Sequence, residues 1–467
     1  MDALPVNSTG RHRLAIVYDS YRHELASTGL PLLVAGHPAR TFAWRGAQPV
    51  SAAQFLAHVQ QVAAELPTAS AAVNLCEDRY AFLVAFCAIA LRGQANLLPS
   101  SRQPQAVAEV MAAHPGSYAL GELELEPAPH GYRRMPVLDA PAADGETTAP
   151  LLPAEQVVAI GYTSGSTGVP KAYPKTWRSF HASNAGNLRA LCAVVGPRFD
   201  VVATVPPQHM YGMETSVLLP LLGDVGVHAA RPFFPADIAD ALAQTRGPRV
   251  LVITPIHLRA LIESGIALPP IAAMVSATAP MPAELAAAAE QRFGAPLLEV
   301  FGSTETCVIA SRRAAADEPW TLYEGVRLHP QPDGTLVDAP QLAQPIALAD
   351  IVALQDEGRR FRLCGRHADL LEIAGKRASL GDLTRRLLAV PGVRDGVVFQ
   401  LDGDAIGVKR IAALAVAPGL DEHAILDALR GSVEPVFLPR PLRLVDALPR
   451  NETGKLPRSA LMELIGR

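Results

Sequence analysis

The densest cluster of chemistry-bearing side chains lies between Tyr162 and Lys175, in the stretch Tyr-Thr-Ser-Gly-Ser-Thr-Gly-Val-Pro-Lys-Ala-Tyr-Pro-Lys. Gly165 and Gly168 let backbone N–H groups approach an anion without an obstructing Cβ. Thr163, Ser164, Ser166 and Thr167 add hydroxyl donors, and Lys171 adds a charge; this is the set a polyphosphate requires. A Walker A loop runs from Gly-Lys-Ser/Thr straight into a helix. Here Pro170 precedes Lys171 and Ala172 follows it, so the P-loop kinase reading loses. The lysines sharpen the signal. Among 41 basic residues, lysine stands only at 171, 175, 376, 409 and 455. Base composition accounts for the arginine background. Against it, a retained lysine marks a site that needs a compact, movable ammonium rather than a planar fork.

Three more motifs follow in order: Phe-Gly-Ser-Thr-Glu-Thr at 301–306, Gly-Arg-His-Ala-Asp-Leu-Leu-Glu-Ile-Ala-Gly-Lys-Arg at 365–377, and Leu-Pro-Arg-Asn-Glu-Thr-Gly-Lys at 448–455. With the 162–171 loop, they resemble the motifs of the acyl-adenylate-forming superfamily of acyl-CoA synthetases, aryl-acid ligases, adenylation domains and luciferases. The resemblance covers most of the chain. It implies a two-step ligase. A carboxylate attacks the α-phosphate of ATP, giving an acyl-adenylate and pyrophosphate; a thiol then displaces AMP. It also implies a small C-terminal domain that rotates between the two steps. The domains would be 1–365, binding ATP and the acid, and 366–467, carrying the catalytic lysine.

The resemblance assigns roles residue by residue. Thr163, Ser164, Gly165, Ser166, Thr167 and Gly168 would cradle the β- and γ-phosphates, with Lys171 nearby. Thr304 would bind the α-phosphate and Glu305 would hold Mg2+, a hard cation that takes carboxylate and phosphate oxygens. Phe301 would stack on adenine, with Gly302 and Ala279 beside the nucleotide. Asp350 would accept the ribose hydroxyls, with Arg366 as its partner. Lys455 would be the catalytic lysine, an ammonium set between two anions that must approach each other. His209, in Pro-Pro-Gln-His-Met-Tyr-Gly-Met-Glu-Thr, would sit near the carboxylate or gate the thiol.

Two departures from the family pattern stand out. The hinge position holds Ala368 in place of the usual Asp or Lys. The Ser-Gly-Gly-Ala-Pro-like loop reads Ser-Ala-Thr-Ala-Pro at 276–280, which narrows the space between nucleotide and acid. The expected pocket wall is His209, Met213, Ala277, Gly302, Cys307 and Val308, small and mixed rather than a long apolar tunnel. Enlarging Gly302 is the expected way to close it. The chain is similar to the compact bacterial AMP-ligases that load aryl starter units in pigment (aryl-polyene, xanthomonadin-like) or polyketide pathways. A small aryl acid such as 4-hydroxybenzoate is therefore the expected substrate. CoA, or the phosphopantetheine of an acyl carrier protein acting in trans, is the expected acceptor. The alternatives are a short- or medium-chain acyl-CoA or acyl-carrier ligase, and a non-catalytic acid or nucleotide sensor.

The elements that must carry these loops are legible. Ser51 and Gln54 have capping-box spacing before a helical apolar pattern at Phe55, Val59, Val62 and Leu66. The apolar run 81–91 is too short to span a bilayer and reads as a buried helix. From 157, strand-like runs at 157–163, 201–206, 249–255, 272–276 and 296–302 alternate with helical stretches. One of these, 281–294, has Pro282 near its start and Gly294 at its end, where each belongs. Such alternation predicts α/β architecture with parallel sheets flanked by helices, and ligand loops at the strands' carboxyl ends. Residues 326–363 read as short antiparallel strands, a small β-barrel-like part. Residues 366–467 read as a small mobile α+β domain.

Composition excludes several classes. The 467 residues are 49% hydrophobic and carry a net charge of -4, which speaks for a large buried core and against a nucleic-acid binder. The five cysteines form no Cys-x-x-Cys pair, and the N-terminus lacks a secretory apolar core. Both fit a cytoplasmic protein.

Overall fold

A computed structural model of the chain describes residues 29–34, 37–142, 148–163, 171–366, 370–373, 376–401, 410–451 and 456–466. The chain forms two compact units. The first runs to Pro232 and includes Asp237–Val250; the second comprises Phe233–Ala236 and everything from Leu251.

The first unit opens with strands β1 (Thr41–Arg45) and β2 (Gln48–Ser51) and helix α1 (Ala52–Glu65). The Ser51 hydroxyl accepts the Gln54 amide at 3.1 Å, the N-cap half of the predicted box. Strand β3 (Ala71–Asn74), helix α2 (Arg79–Leu91), strand β4 (Ala95–Leu98), helix α3 (Pro104–Ala112), and strands β5 (Tyr118–Gly121) and β6 (Tyr132–Arg134) follow. Helix α2 is the expected buried helix: every residue from Arg79 to Ala90 is buried. Then come β7 (Val157–Thr163), β8 (Lys171–Thr176), the long helix α4 (Trp177–Val195), β9 (Phe199–Ala203) and β10 (Val225–His228). One sheet has the order β8-β7-β4-β3-β5-β6. It is parallel except at its β7–β8 edge. Val73, Leu97, Ala119 and Tyr162 of this sheet pack with Val107 and Val110 of α3. In a second sheet, β10 pairs parallel with both β9 and β1, and β1 pairs antiparallel with β2. The chain passes to the second unit within β11 (Arg249–Ile253).

The second unit continues with α5 (Pro255–Glu263), β12 (Ala273–Ser276), α6 (Ala283–Phe293), β13 (Leu297–Ser303), β14 (Cys307–Arg313) and β15 (Trp320–Leu322). Pro282 is the N-cap of α6, and Gly294 closes it in the left-handed region at φ 65°. The antiparallel part predicted over 326–363 begins earlier. Strands β12 and β13 pair parallel, but β13 turns straight back into β14, with no intervening helix. Next come β16 (Arg327–Gln331), β17 (Gly334–Asp338), β18 (Ile346–Leu348), β19 (Asp350–Gln355) and β20 (Arg360–Arg366). All their pairings are antiparallel. Beyond them lie β21 (Leu370–Ile373), β22 (Lys376–Ser379), α7 (Leu380–Leu388), β23 (Asp395–Gln400), β24 (Ile411–Val416), α8 (Glu422–Arg430), β25 (Leu442–Leu444) and α9 (Arg458–Gly466). Two hydrophobic clusters draw only on side chains between Ala378 and Ile465, so this α+β segment has a core of its own.

Candidate active site

The expected site residues fall in both units. Thr163, Lys171, His209 and Met213 belong to the first; Ala277, Ala279, Phe301, Gly302, Thr304, Glu305, Cys307, Val308, Asp350 and Arg366 belong to the second. Ser164, Gly165, Ser166, Thr167, Gly168, Ala368 and Lys455 lie outside the described residues.

In the first unit, residues 164–170 connect β7 to β8 in sequence, and the flanking Thr163 and Lys171 are Cα partners. A Walker A loop leads into a helix; this one leads into a strand, as its sequence requires. The two lysines of the stretch differ. Lys171 is exposed, whereas Lys175 is 4% exposed. Next to Thr163 in β7, Tyr162 is buried, and its hydroxyl bonds to His114 Nε2. Burial pushes the Tyr162 phenol up to about 12. His209 precedes a short helical segment, Met210–Gly212, which continues as π-helix over Met213–Val217. The Met213 amide donates to the His209 carbonyl at 2.7 Å, so these two expected wall residues are one turn apart. π-helical turns recur at functional sites because they re-aim side chains.

In the second unit, the β13–β14 hairpin brings six expected residues together: Phe301, Gly302, Thr304, Glu305, Cys307 and Val308. Gly302 pairs with Val308 and Ser303 with Cys307, with a bulge after Phe301. Thr304 and Glu305 form the tip, both half-buried. Three side chains that sequence reasoning missed build that tip. Ser303 Oγ accepts the Thr306 amide at 3.2 Å and lies 3.1 Å from Thr306 Oγ1. Gln341 Nε2 donates to the Thr306 carbonyl at 3.0 Å. The flanking hydroxyls in Ser-Thr-Glu-Thr were the available signal for two of them.

Gly302 needs a correction as a probe. A Cβ there would sit 2.2 Å from the Cys307 carbonyl oxygen and 2.7 Å from Val308 Cα. Enlarging it breaks the hairpin before it fills any slot. Phe301 is backed by Trp320 at 5.4 Å and Phe361 at 5.6 Å between ring centroids. Arg312 lies 4.5 Å over the Trp320 ring and pairs with the buried Glu299 at 2.6 Å. Glu299 also accepts the Met281 amide at 3.1 Å, so one carboxylate ties the 276–281 loop to the hairpin. Burial pushes the Glu299 carboxyl up, against the pull of Arg312. Within that loop Thr278 has φ +80°, a conformation a glycine would adopt more cheaply. Asp350 and Arg366 are Cα partners across β19 and β20, so the two expected ribose-binding positions face each other in register.

A family profile described as AMP-binding enzyme matches residues 33–344. The chain belongs to the AMP-binding enzyme family. It is an AMP-forming ligase, which activates a carboxylic acid with ATP as an acyl-adenylate and passes the acyl group to a thiol. Among curated relatives it is similar to a 4-coumarate–CoA ligase of Rhodobacter capsulatus, at 32% identity over 339 residues, 71% of this chain and 81% of that protein. A 3-hydroxybenzoate–CoA/4-hydroxybenzoate–CoA ligase of Thauera aromatica is 26% identical over 348 residues, 65% of each chain. The o-succinylbenzoate CoA synthetase of Bacillus subtilis, solved with its acyl-adenylate intermediate, superposes with a TM-score of 0.76 at 18% identity. That alignment covers 91% of this chain and 95% of that one, and it carries the fold alone. Among the described residues no helix of this AMP-binding enzyme is long and apolar enough to cross a membrane.

Proposed function

We propose that this enzyme activates a small aryl acid of the hydroxybenzoate class and transfers it to a pantetheine thiol. The thiol belongs to CoA or to an acyl carrier protein in trans, within the aryl-starter setting expected from sequence. The observation that supports the site assignment best is the β13–β14 hairpin tip, which holds Thr304 and Glu305 next to an aromatic residue backed by two rings. The printed substrates of the two curated relatives, a coumarate and hydroxybenzoates, support an aromatic acid.

In the first step a carboxylate oxygen attacks the α-phosphorus, and the bond to pyrophosphate breaks. Two anions must meet, so fixed positive and hydrogen-bonding groups lower the barrier. Thr304 binds the α-phosphate, Thr163 to Gly168 hold the β- and γ-phosphates, and Lys171 adds charge beside them. Phe301 stacks on adenine, Gly302 and Ala279 lie along the nucleotide, and Asp350 and Arg366 hold the ribose. Lys455 bridges carboxylate and phosphate in the transition state. Among the described residues no cluster of three or more His, Cys, Asp or Glu side chains could hold a metal alone. That fits Mg2+, which takes one or two carboxylates and completes its shell with phosphate oxygens and water. Glu305 is the residue that would hold it, and the ion would neutralise phosphate charge. In the second step the thiolate sulfur attacks the acyl carbon and AMP leaves. We assign residues 366–467 as the domain that turns between the steps, and His209, Met213, Ala277, Gly302, Cys307 and Val308 as the acid's surroundings.

A pyrophosphate-release screen across aryl and alkyl acids with ATP and Mg2+ tests this reading. Hydroxybenzoates or close aryl acids are expected to give the highest kcat/KM. Activity confined to linear alkyl acids would overturn the aryl assignment.

A further inference from the structure

From Phe199 to Gly223 the chain is buried at every residue except His209 and Met210. A segment buried throughout that surfaces at two adjacent residues presents those two. What holds them there is Arg79, the first residue of α2, which is itself fully buried. Its Nη2 donates to the carbonyls of Ala203 at 2.8 Å and Val205 at 2.9 Å. Its Nη1 donates to Ser216 Oγ. The Ser216 hydroxyl passes the link on, donating to the Gly212 carbonyl at 2.6 Å. One guanidinium thus grips the chain before the 206–212 turn and, through Ser216, at its end. The turn's two ends also touch: a Cβ on Gly212 would lie 2.0 Å from the Pro206 carbonyl oxygen. From the other side, α4 holds Glu214, two residues beyond Gly212. Asn184 Nδ2 donates to the Glu214 carbonyl at 2.8 Å, and Ser183 Oγ donates to the Glu214 carboxylate.

Burying a guanidinium is expensive unless its donors are satisfied. Here its bonds go to two carbonyls and a hydroxyl rather than to a carboxylate, and Nε is buried with no partner. Burial, aided by the nearby Arg231 charge, lowers its pKa to about 9, so it stays charged at neutral pH. A plain scaffold contact could be made by an apolar side chain at lower cost. What an apolar side chain cannot do is hold carbonyls on both sides of a turn, which needs a rigid fork of donors.

We propose that Arg79, acting through Ser216, is the positioning residue that sets the 206–212 turn and thereby aims His209 at the acid. This rests on the reading of His209 as an acid-facing residue. The test uses the full chain and the best acid from the screen. Ser216→Ala removes the link to Gly212 with little change in volume and is expected to raise the acid KM about threefold, leaving the ATP KM within about twofold. In a His209→Ala background the same substitution is expected to change the acid KM by less than about 1.5-fold, because the aimed group is gone. Arg79→Lys keeps the charge but not the fork, and is expected to raise the acid KM about tenfold or more. If it does not fold, Ser216→Ala decides. Equal factors in both backgrounds, or parallel rises in acid and ATP KM, would overturn the proposal. An activity-independent readout separates it from the functional reading. In protein with ¹⁵N-labelled histidine, the His209 ring signal, identified by its loss in His209→Ala, is expected to move in Ser216→Ala. If no acid releases pyrophosphate, the functional reading fails, and an unmoved signal then sinks the clamp as well.

Discussion

In the proposed mechanism Lys455 carries the heaviest chemical demand of any single residue. There it would act on charge that develops only in the transition state, so its loss should spare folding and ATP binding. Lys455→Ala is expected to slow acid-dependent pyrophosphate release by about a hundredfold or more. A variant within about threefold of wild type would remove Lys455 from the role. The pocket needs a different probe from Gly302. Because a Cβ at Gly302 would collide with the Cys307 backbone, Gly302→Ala is expected to lower stability by about 1–3 kcal/mol or more, read as a fall in Tm. Ala277, half-buried at the start of the 277–280 loop, already carries a Cβ. Ala277→Leu is expected to keep Tm close to wild type while cutting kcat/KM for hydroxybenzoates more than for C4 to C12 fatty acids. If octanoate or decanoate is already preferred by wild-type enzyme, the pocket is an alkyl tunnel.

Among the elements, helix α4 carries a titrating group whose behaviour can be signed. His181 is half-buried against Trp177, with ring centroids 4.8 Å apart, and its Nε2 lies 3.3 Å from the Pro31 carbonyl. Burial lowers its pKa from 6.5 to about 4, and the carbonyl only partly opposes that. Between those values the unfolded chain binds the proton and the folded chain does not. Stability is therefore complete above pH 6.5 and falls as pH drops toward 4. The share lost at pH 5 is about 2 kcal/mol. Denaturant unfolding at pH 7.5 and pH 5 should show that loss in wild type and a smaller one in His181→Phe. His58 and His228, also lowered by burial, keep part of the acid sensitivity in the variant. Identical losses in the two proteins would mean that His181 does not titrate as a buried base. The β13–β14 hairpin makes a second point at this scale. Thr304 and Glu305 are presented by Ser303, Thr306 and Gln341, which no rule about phosphate binding would single out.

The proposed two-step mechanism has the C-terminal segment turn between its steps. Side chains from Ala378 to Ile465 form their own clusters, so this segment has the internal packing a rotating body needs. Ala368 stands at the proposed hinge position. Proline there would lock φ. Ala368→Pro is expected to spare adenylation, followed as pyrophosphate release, and to block thioester formation, followed as AMP release dependent on CoA or carrier protein. Equal losses in the two half-reactions would place the pivot elsewhere.

Local structure written in contiguous residues was readable from the sequence. The capped helix after Ser51, the buried helix expected from the apolar run 81–91 and the Pro282–Gly294 helix all rest on near-neighbour geometry, which spacing encodes. The family followed from the order of four short motifs. Tertiary structure decided what depends on residues far apart in the chain. That Gly302 is held by the Cys307 backbone, that Glu299 pairs with Arg312 across the hairpin and takes the Met281 amide of a separate loop, and that Asp350 faces Arg366 in register are facts of pairing between distant residues. Arg79 shows the limit most plainly. In sequence it is one polar residue heading an apolar run. Only folding sets its guanidinium against carbonyls more than a hundred residues away, because hydrogen-bond partners of buried groups are chosen by packing and not by spacing.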